Sequence, residues 1–157
     1  MWRFTFLSLS LMVVALSLSG AKSCCPFNWL VGKEFCYKLF DGPKIWIDAE
    51  MFCRKYKPGC HLASICNSEE SADLAEYVSD HLTNKIDVWI GLNKLQHKGT
   101  WDWTGRCRSD YVAWMKNQPD NFKNIENCGE LDVTTNYLQW NDQQCNKKSP
   151  FICQCKF

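Results

Sequence analysis

The sequence predicts a small α+β domain that is held together by disulfide bonds. Eleven of its 157 residues are cysteine, which is typical of secreted chains that supplement a modest core with covalent bridges. Two segments in the first half carry apolar residues at helical spacing, whereas the second half has short apolar runs separated by polar stretches. Helices followed by short strands indicate an α+β fold.

The chain opens with the features of a secretory signal peptide. Arg3 precedes an apolar stretch over residues 4–18, and small residues follow as far as Ser23. This stretch is shorter than the roughly 20 residues that a membrane-spanning helix needs. We therefore expect cleavage after Ser23, with Ala21 as the alternative, secretion of one domain over residues 24–157, and no membrane insertion.

The charge balance favours neither nucleic acid nor a membrane surface as a partner. Eighteen Lys and Arg residues face 17 Asp and Glu residues, so the formal net charge is only +1. Without a basic field, bulk electrostatics does not favour binding to nucleic acid or to an anionic membrane. The apolar fraction of 46% is enough to fill a core, which excludes intrinsic disorder.

The cysteines favour bridges over zinc. All 11 lie within residues 24–157, and they form no pair of Cys-x-x-Cys knuckles. Spacing alone does not fix the pairing, and the odd number means that at least one thiol has another role.

Regular spacing predicts a strand and two helices in the first half. The aromatic-rich residues 35–40 predict a strand that ends in a turn at residues 41–43. A helix follows from Trp46 to Tyr56, with Cys53 on its inner face and Pro58 beyond its end. A second helix over residues 68–82 has acidic residues in its first turn, as the helix dipole favours.

Short apolar runs predict the strands of the second half. They cover residues 88–92, 101–103, 131–133, 138–140 and 151–155. The segment between Trp103 and Leu131 is long, polar and aperiodic, and loops of that length in a compact domain are usually functional.

Oxygen-bearing side chains concentrate in and after this long loop. Carboxylate and amide oxygens are the ligands that a hard cation such as Ca²⁺ takes, and five of them leave positions open for an outside ligand. The candidate calcium ligands are Gln118, Asp120, Glu126, Asn141 and Asp142. A cis peptide before Pro119 would direct its two neighbours to one point, whereas a trans proline in a turn is the alternative that base rates favour.

The motifs together resemble the C-type lectin family, and most closely the galactose-binding lectins of snake venom. The resemblance covers the whole mature chain and is carried by Cys25, Pro26 and Trp29; Trp89, Ile90, Gly91 and Leu92; Gln118, Pro119 and Asp120; Glu126, Asn127 and Cys128; Trp140, Asn141 and Asp142; and Phe151, Cys153 and Cys155. It implies a long-form C-type lectin fold, with two helices, two small antiparallel sheets and a long calcium-binding loop. It also implies the cis form of the peptide before Pro119.

The resemblance also implies a disulfide pairing. The implied bridges are Cys25–Cys36, Cys53–Cys153, Cys60–Cys155 and Cys128–Cys145. Family members carry a cysteine near the start of the long loop that links two subunits, and Cys107 lies in that neighbourhood, so we expect it to form an interchain bond in a homodimer. Cys24 and Cys66 could pair with each other, pair between chains or stay free.

The implied function is calcium-dependent binding of galactose. In the family, two hydroxyls of a sugar complete the shell of the ion and also bond to its ligands, here Gln118, Asp120, Glu126 and Asn141. Members with Gln-Pro-Asp favour galactose, whereas those with Glu-Pro-Asn favour mannose-type sugars. Phe122 matches an aromatic residue that stacks on galactose, although it could instead anchor the loop. A secreted dimer of this kind would cross-link galactose-terminated glycans on cell surfaces and agglutinate red cells.

Two other functions compete with this prediction. A C-type lectin-like subunit that binds a clotting factor or platelet receptor usually lacks the sugar-site residues, which are all present here. A small calcium-dependent hydrolase is disfavoured, because the sequence has no nucleophile elbow and no His–Asp pair in a cysteine-rich helical motif. We therefore expect a lectin rather than an enzyme.

Overall fold

A computed structural model describes residues 25–95, 99–105 and 107–157. The predicted signal peptide over residues 1–23 and the open question of Cys24 lie outside the described residues. Within those ranges, the structure contains two α-helices and eight strands. The strands are β1 (Leu30–Val31), β2 (Cys36–Lys44), β3 (His61–Leu62), β4 (Val88–Asn93), β5 (Asp102–Trp103), β6 (Glu126–Leu131), β7 (Trp140–Gln144) and β8 (Ser149–Cys155); the helices are α1 (Trp46–Tyr56) and α2 (Ser68–His81).

The strands form one mixed sheet, in the order β1-β2-β8-β4-β6-β7, with β3 added to β8 and β5 added to β4. Each pairing is antiparallel except that of β4 with β8, which meet in parallel at Trp89 and Phe151. The two small sheets implied by the resemblance are therefore joined at this parallel contact.

Both helices occur as the sequence predicts. The inner face of α1 buries Trp46, Ala49, Glu50 and Cys53, and the Trp46 indole Nε1 donates to the Ile90 carbonyl at 2.8 Å. The Asn67 side chain caps α2 by accepting from the Glu70 amide at 2.9 Å. This helix is one residue shorter than predicted, because Leu82 is already extended. Neither helix of the described part is long and apolar enough to cross a membrane.

Strands β2, β6 and β7 differ most from the prediction. Strand β2 continues through the predicted turn at residues 41–43, with a shift in register before Lys44. The predicted strand over residues 131–133 is wrong beyond Leu131, because Val133–Thr135 form a 3₁₀ turn that the Asp132 side chain caps. Strand β7 begins at Trp140, where the predicted run ends, and extends to Gln144.

Five disulfide bonds cross the fold. Four are the bridges that the resemblance implies: Cys25–Cys36, Cys53–Cys153, Cys60–Cys155 and Cys128–Cys145. The fifth joins Cys66 to Cys107, whose Cα atoms are 5.9 Å apart. The prediction that Cys107 links two subunits is therefore wrong for this structure. The start of the long loop folds back on the segment before α2, where the Ser109 hydroxyl donates to the Cys66 carbonyl at 2.6 Å.

Candidate metal site

Three carboxylates converge where the long loop meets the sheet. Each of Asp120, Glu126 and Asp142 offers one oxygen, and these oxygens lie within 4.8 Å of one another. Asp120 is exposed, whereas Glu126 and Asp142 are buried. It is the one such group of three or more acidic, histidine or cysteine side chains in the part of the chain that the structure describes.

Two paired strands position the buried members of this acidic triad. Glu126 begins β6, and Asp142 lies in β7 opposite Gly129. The β6–β7 register shifts between Glu126 and Cys128, as in a β-bulge, and bulges are frequent beside functional sites. The Cys128–Cys145 disulfide joins β6 to the residue directly after β7.

Backbone amides of the loop bind the triad and fix its shape. Asp142 accepts from the amides of Asp120 and Asn121, at 3.0 and 2.9 Å. The Phe122 amide donates to Asp120 Oδ1 at 3.1 Å and to Glu126 Oε2 at 2.9 Å. Asn121 has a φ of 48°, in the left-handed region that asparagine tolerates, and its side chain accepts from the Glu126 amide at 3.1 Å. The loop is therefore built around the three carboxylates.

The two predicted amide ligands have different surroundings. The Gln118–Pro119 peptide is cis, which confirms that prediction, and Gln118 Oε1 accepts from the Asp120 amide at 2.9 Å. Gln118 thus borders the triad. Asn141 precedes Asp142 in β7, and its Nδ2 donates to Glu130 Oε1 at 3.1 Å. Glu130, which holds the Asn141 side chain, is not among the residues that the sequence predicts for the site.

Phe122 lies at the edge of the triad with its ring in solvent. The residue is 57% exposed, which is more than a residue that anchors the loop in the core would show. The Lys123 ammonium lies 5.2 Å from the centre of the ring. An exposed aromatic ring beside a cluster of oxygen ligands has a free face for a ligand.

The triad concentrates negative charge. Burial raises the pKa of the Glu126 carboxyl, and the charges of Asp142 and Asp120 raise it further against the opposing bond from the Phe122 amide. At an effective dielectric constant near 20, two unit charges 4.8 Å apart repel by about 3.5 kcal/mol, and by less where water screens Asp120. A divalent cation would reverse this repulsion, and an all-oxygen donor set fits Ca²⁺.

A second charged cluster lies behind Asn141. Glu130 is fully buried, and Lys147 Nζ approaches its two carboxylate oxygens at 3.0 and 3.3 Å and Asp87 Oδ2 at 2.8 Å. Burial and the nearby Asp87 charge raise the pKa of Glu130 to about 7, while Lys147 and Asn141 oppose the shift. The sequence offered one signal for this cluster, an acidic residue between apolar positions near the end of β6.

Comparison with known proteins agrees with this fold. Residues 42–155 match the Lectin C-type domain family. The chain is 52% identical to a C-type lectin galactose-binding isoform of Pseudechis porphyriacus and 54% identical to a C-type lectin mannose-binding isoform of Notechis scutatus scutatus, each over the full length of both chains. The chain belongs to the C-type lectin family.

A solved structure of the family has the same architecture. The C-type lectin CEL-I from Cucumaria echinata superposes with a TM-score of 0.77 at 26% sequence identity, covering 83% of this chain and 96% of that one. The fold implied by the sequence motifs is therefore the one observed. Family membership alone leaves the sugar open, since the two snake relatives carry different sugars in their names.

Proposed function

We propose that this chain is a calcium-dependent, galactose-binding lectin without enzymatic activity. The observation that carries the proposal is the convergence of Asp120, Glu126 and Asp142 at an exposed loop. These carboxylates would hold Ca²⁺ together with the amide oxygens of Gln118 and Asn141. The bound ion would supply positive charge and open coordination positions for two sugar hydroxyls.

The loop triplet supports galactose over mannose. Gln118 and Asp120 place the amide before Pro119 and the carboxylate after it, which is the order that the resemblance associates with galactose. This order sets which side of the ion offers hydrogen-bond donors and which offers only acceptors. The exposed Phe122 ring supports the same choice, because galactose has an apolar face that can pack on an aromatic side chain.

Cross-linking of cell-surface glycans requires more than one site per particle. A single shallow sugar site binds weakly, whereas two linked sites raise avidity by roughly 10²-fold or more. The five bridges use ten of the 11 cysteines, which supports Cys24 as the residue that would form the interchain bond of the proposed homodimer. The predicted leader supports secretion of the protein. The similarity to lectins of snakes supports its release into venom.

Affinity chromatography tests the binding proposal. The secreted protein is passed over immobilised galactose and immobilised mannose in calcium, and bound protein is then eluted with a chelator. Retention on galactose and release by the chelator are the expected results. Folded protein that passes through both columns would contradict the proposal and move the function toward recognition of a protein target.

A non-reducing gel and an agglutination assay test the dimer. Wild-type protein should run as a disulfide-linked dimer, Cys24→Ser as a monomer, and the control Cys107→Ser as a dimer. Red cells should be agglutinated by the wild type and not by Cys24→Ser. A dimer that persists in Cys24→Ser and disappears in Cys107→Ser would contradict the assignment of the interchain bond.

A further inference from the structure

Glu130 makes a buried contact with one of the proposed calcium ligands. Its Oε1 accepts a hydrogen bond from Asn141 Nδ2 at 3.1 Å, and Glu130 is 0% exposed. We propose that Glu130 is a positioning residue that orients Asn141 for calcium binding. This inference rests on the proposed function, in which Asn141 is a calcium ligand and Glu130 does not touch the ion.

The chemistry of the two side chains fixes the orientation. An asparagine side chain ends in an oxygen on one side and an NH₂ group on the other, and Ca²⁺ binds only the oxygen. Both Glu130 oxygens accept from the Lys147 ammonium, which favours a carboxylate without a proton to donate, so Glu130 selects the orientation in which the Asn141 NH₂ group faces it. The Asn141 oxygen is then turned away from Glu130. A neutral residue of the same shape would not impose this choice.

Lys147 and Asp87 hold Glu130 in place. The Lys147 ammonium contacts both Glu130 oxygens and also Asp87 Oδ2, while Asp87 Oδ1 accepts from the Val133 amide at 3.1 Å. The ammonium compensates the buried carboxylate, which would otherwise be costly to keep charged away from water. Each carboxylate of this cluster therefore has a defined partner.

The sheet connects the cluster with the triad. Glu130 lies directly opposite Asn141 in the β6–β7 pair, and the next pair of this register is Gly129 with Asp142. Glu126 stands at the start of the same strand β6. The contact between Glu130 and Asn141 therefore lies next to Asp142, in the two strands that position Glu126 and Asp142.

Fold stability alone is a weak reason for this arrangement. Glu130 and the partly buried Asp87 share one lysine. Such a group adds little to the free energy of unfolding compared with apolar residues of similar volume, because the cost of desolvating the charges offsets their attraction. Groups that orient metal ligands from behind commonly change metal affinity about 10- to 100-fold when they are replaced. A positioning role accounts for a carboxylate at this place in the sheet.

Calcium titration of Glu130→Gln in the secreted protein tests the proposal. The substitution keeps the shape and leaves Lys147 with Asp87, so the midpoint of urea unfolding in chelator should stay close to wild type. The calcium Kd, measured by isothermal titration calorimetry, should rise about tenfold. Lys148→Met, at an exposed neighbouring lysine, is the control and should leave the Kd unchanged.

A double-mutant cycle separates positioning from a merely structural role. If Glu130 acts through Asn141, Glu130→Gln should change the calcium Kd less than about twofold in an Asn141→Ala background, although it changes it about tenfold in wild type. Equal effects in both backgrounds, or a Glu130→Gln Kd within about twofold of wild type, would overturn the proposal. Should Glu130→Gln fail to fold, the double variant Glu130→Gln/Lys147→Met removes both charges of the pair and carries the same cycle.

The wild-type titration distinguishes this inference from the proposed function. Protein that binds calcium but not galactose would contradict the sugar assignment, while the calcium cycle would still decide the role of Glu130. Protein that binds no calcium would overturn both.

Discussion

Replacing Asp120 with asparagine should raise the stability of the protein without calcium, and this gain should disappear when calcium is present. Asp120 is the exposed member of the triad, and its Oδ1 accepts from the Phe122 amide at 3.1 Å. Asparagine can keep that hydrogen bond, so the substitution removes one negative charge and little else. Asp110→Asn, at an exposed carboxylate of the same loop, is the matched control.

The magnitude without calcium follows from the distance within the triad. The Coulomb estimate of about 3.5 kcal/mol for a pair at 4.8 Å applies to groups shielded from water, and screening around Asp120 reduces its share to about 1 kcal/mol. In chelator, Asp120→Asn should therefore unfold about 3 to 4 °C above wild type.

The magnitude with calcium follows from mass action. Extracellular calcium modules have dissociation constants of roughly 10⁻⁴ to 10⁻³ M, so about 10 mM calcium should stabilise the wild type by about 1.4 to 2.7 kcal/mol. This corresponds to a rise in Tm of about 5 to 9 °C for a domain of this size. A tenfold weaker site in Asp120→Asn would gain only about 0.4 to 1.4 kcal/mol.

Differential scanning calorimetry of the wild type, Asp120→Asn and Asp110→Asn, each with calcium and with chelator, gives all six Tm values. The control should follow the wild type in both conditions. An equal calcium-induced rise in the Tm of the wild type and of Asp120→Asn would show that Asp120 contributes nothing to calcium binding.

Three further predictions concern single side chains. Phe122→Ala should weaken galactose binding about fivefold in a titration, with a change in unfolding free energy below about 0.5 kcal/mol because the ring is exposed. Because burial and the neighbouring charges raise the pKa of Glu126, calcium affinity measured across pH should begin to fall, as pH is lowered, above the range of an ordinary glutamate; an unchanged affinity there would contradict the assignment. Burial alone would raise the pKa of Glu50, but hydrogen bonds from His61, the Leu62 amide and Arg54 hold it below its ordinary value, so its stabilisation is present near neutral pH and is lost as pH falls through the lowered pKa. Glu50→Gln should therefore cost about 2 kcal/mol in urea unfolding at pH 7 and much less in acid, and an equal cost at both pH values would argue against this linkage.

The helices and the overall fold could be predicted from the sequence because their signals are local. Both helices carry apolar residues at spacings of three and four and end near Pro58 or Leu82. The motifs then identified the family and, through it, four of the five disulfide bridges.

Strands β6 and β7 were harder to predict because polar residues fill them. The apolar runs marked only the end of β6 at Leu131 and the start of β7 at Trp140. In the rest of these two strands, Glu126 and Asp142 belong to the triad and Glu130 pairs with Lys147. Tertiary contacts therefore satisfy polar side chains that a hydrophobic pattern would assign to the solvent.

Two long-range contacts had no local signal. Cys66 and Cys107 are 41 residues apart, and their bond depends on how the start of the long loop folds back. The contact of Lys147 with Asp87 spans 60 residues and likewise depends on the sheet topology. Such pairings are determined by tertiary structure, and the sequence alone left the role of Cys66 open.

Calcium and galactose should bind together at the triad, and a crystal structure of the secreted protein grown with both would show whether they do. We expect one ion in contact with the carboxylates of Asp120, Glu126 and Asp142, two galactose hydroxyls on that ion, and the Phe122 ring against the sugar. Galactose bound elsewhere on the protein, or a calcium ion at the triad with no sugar on it, would contradict this expectation.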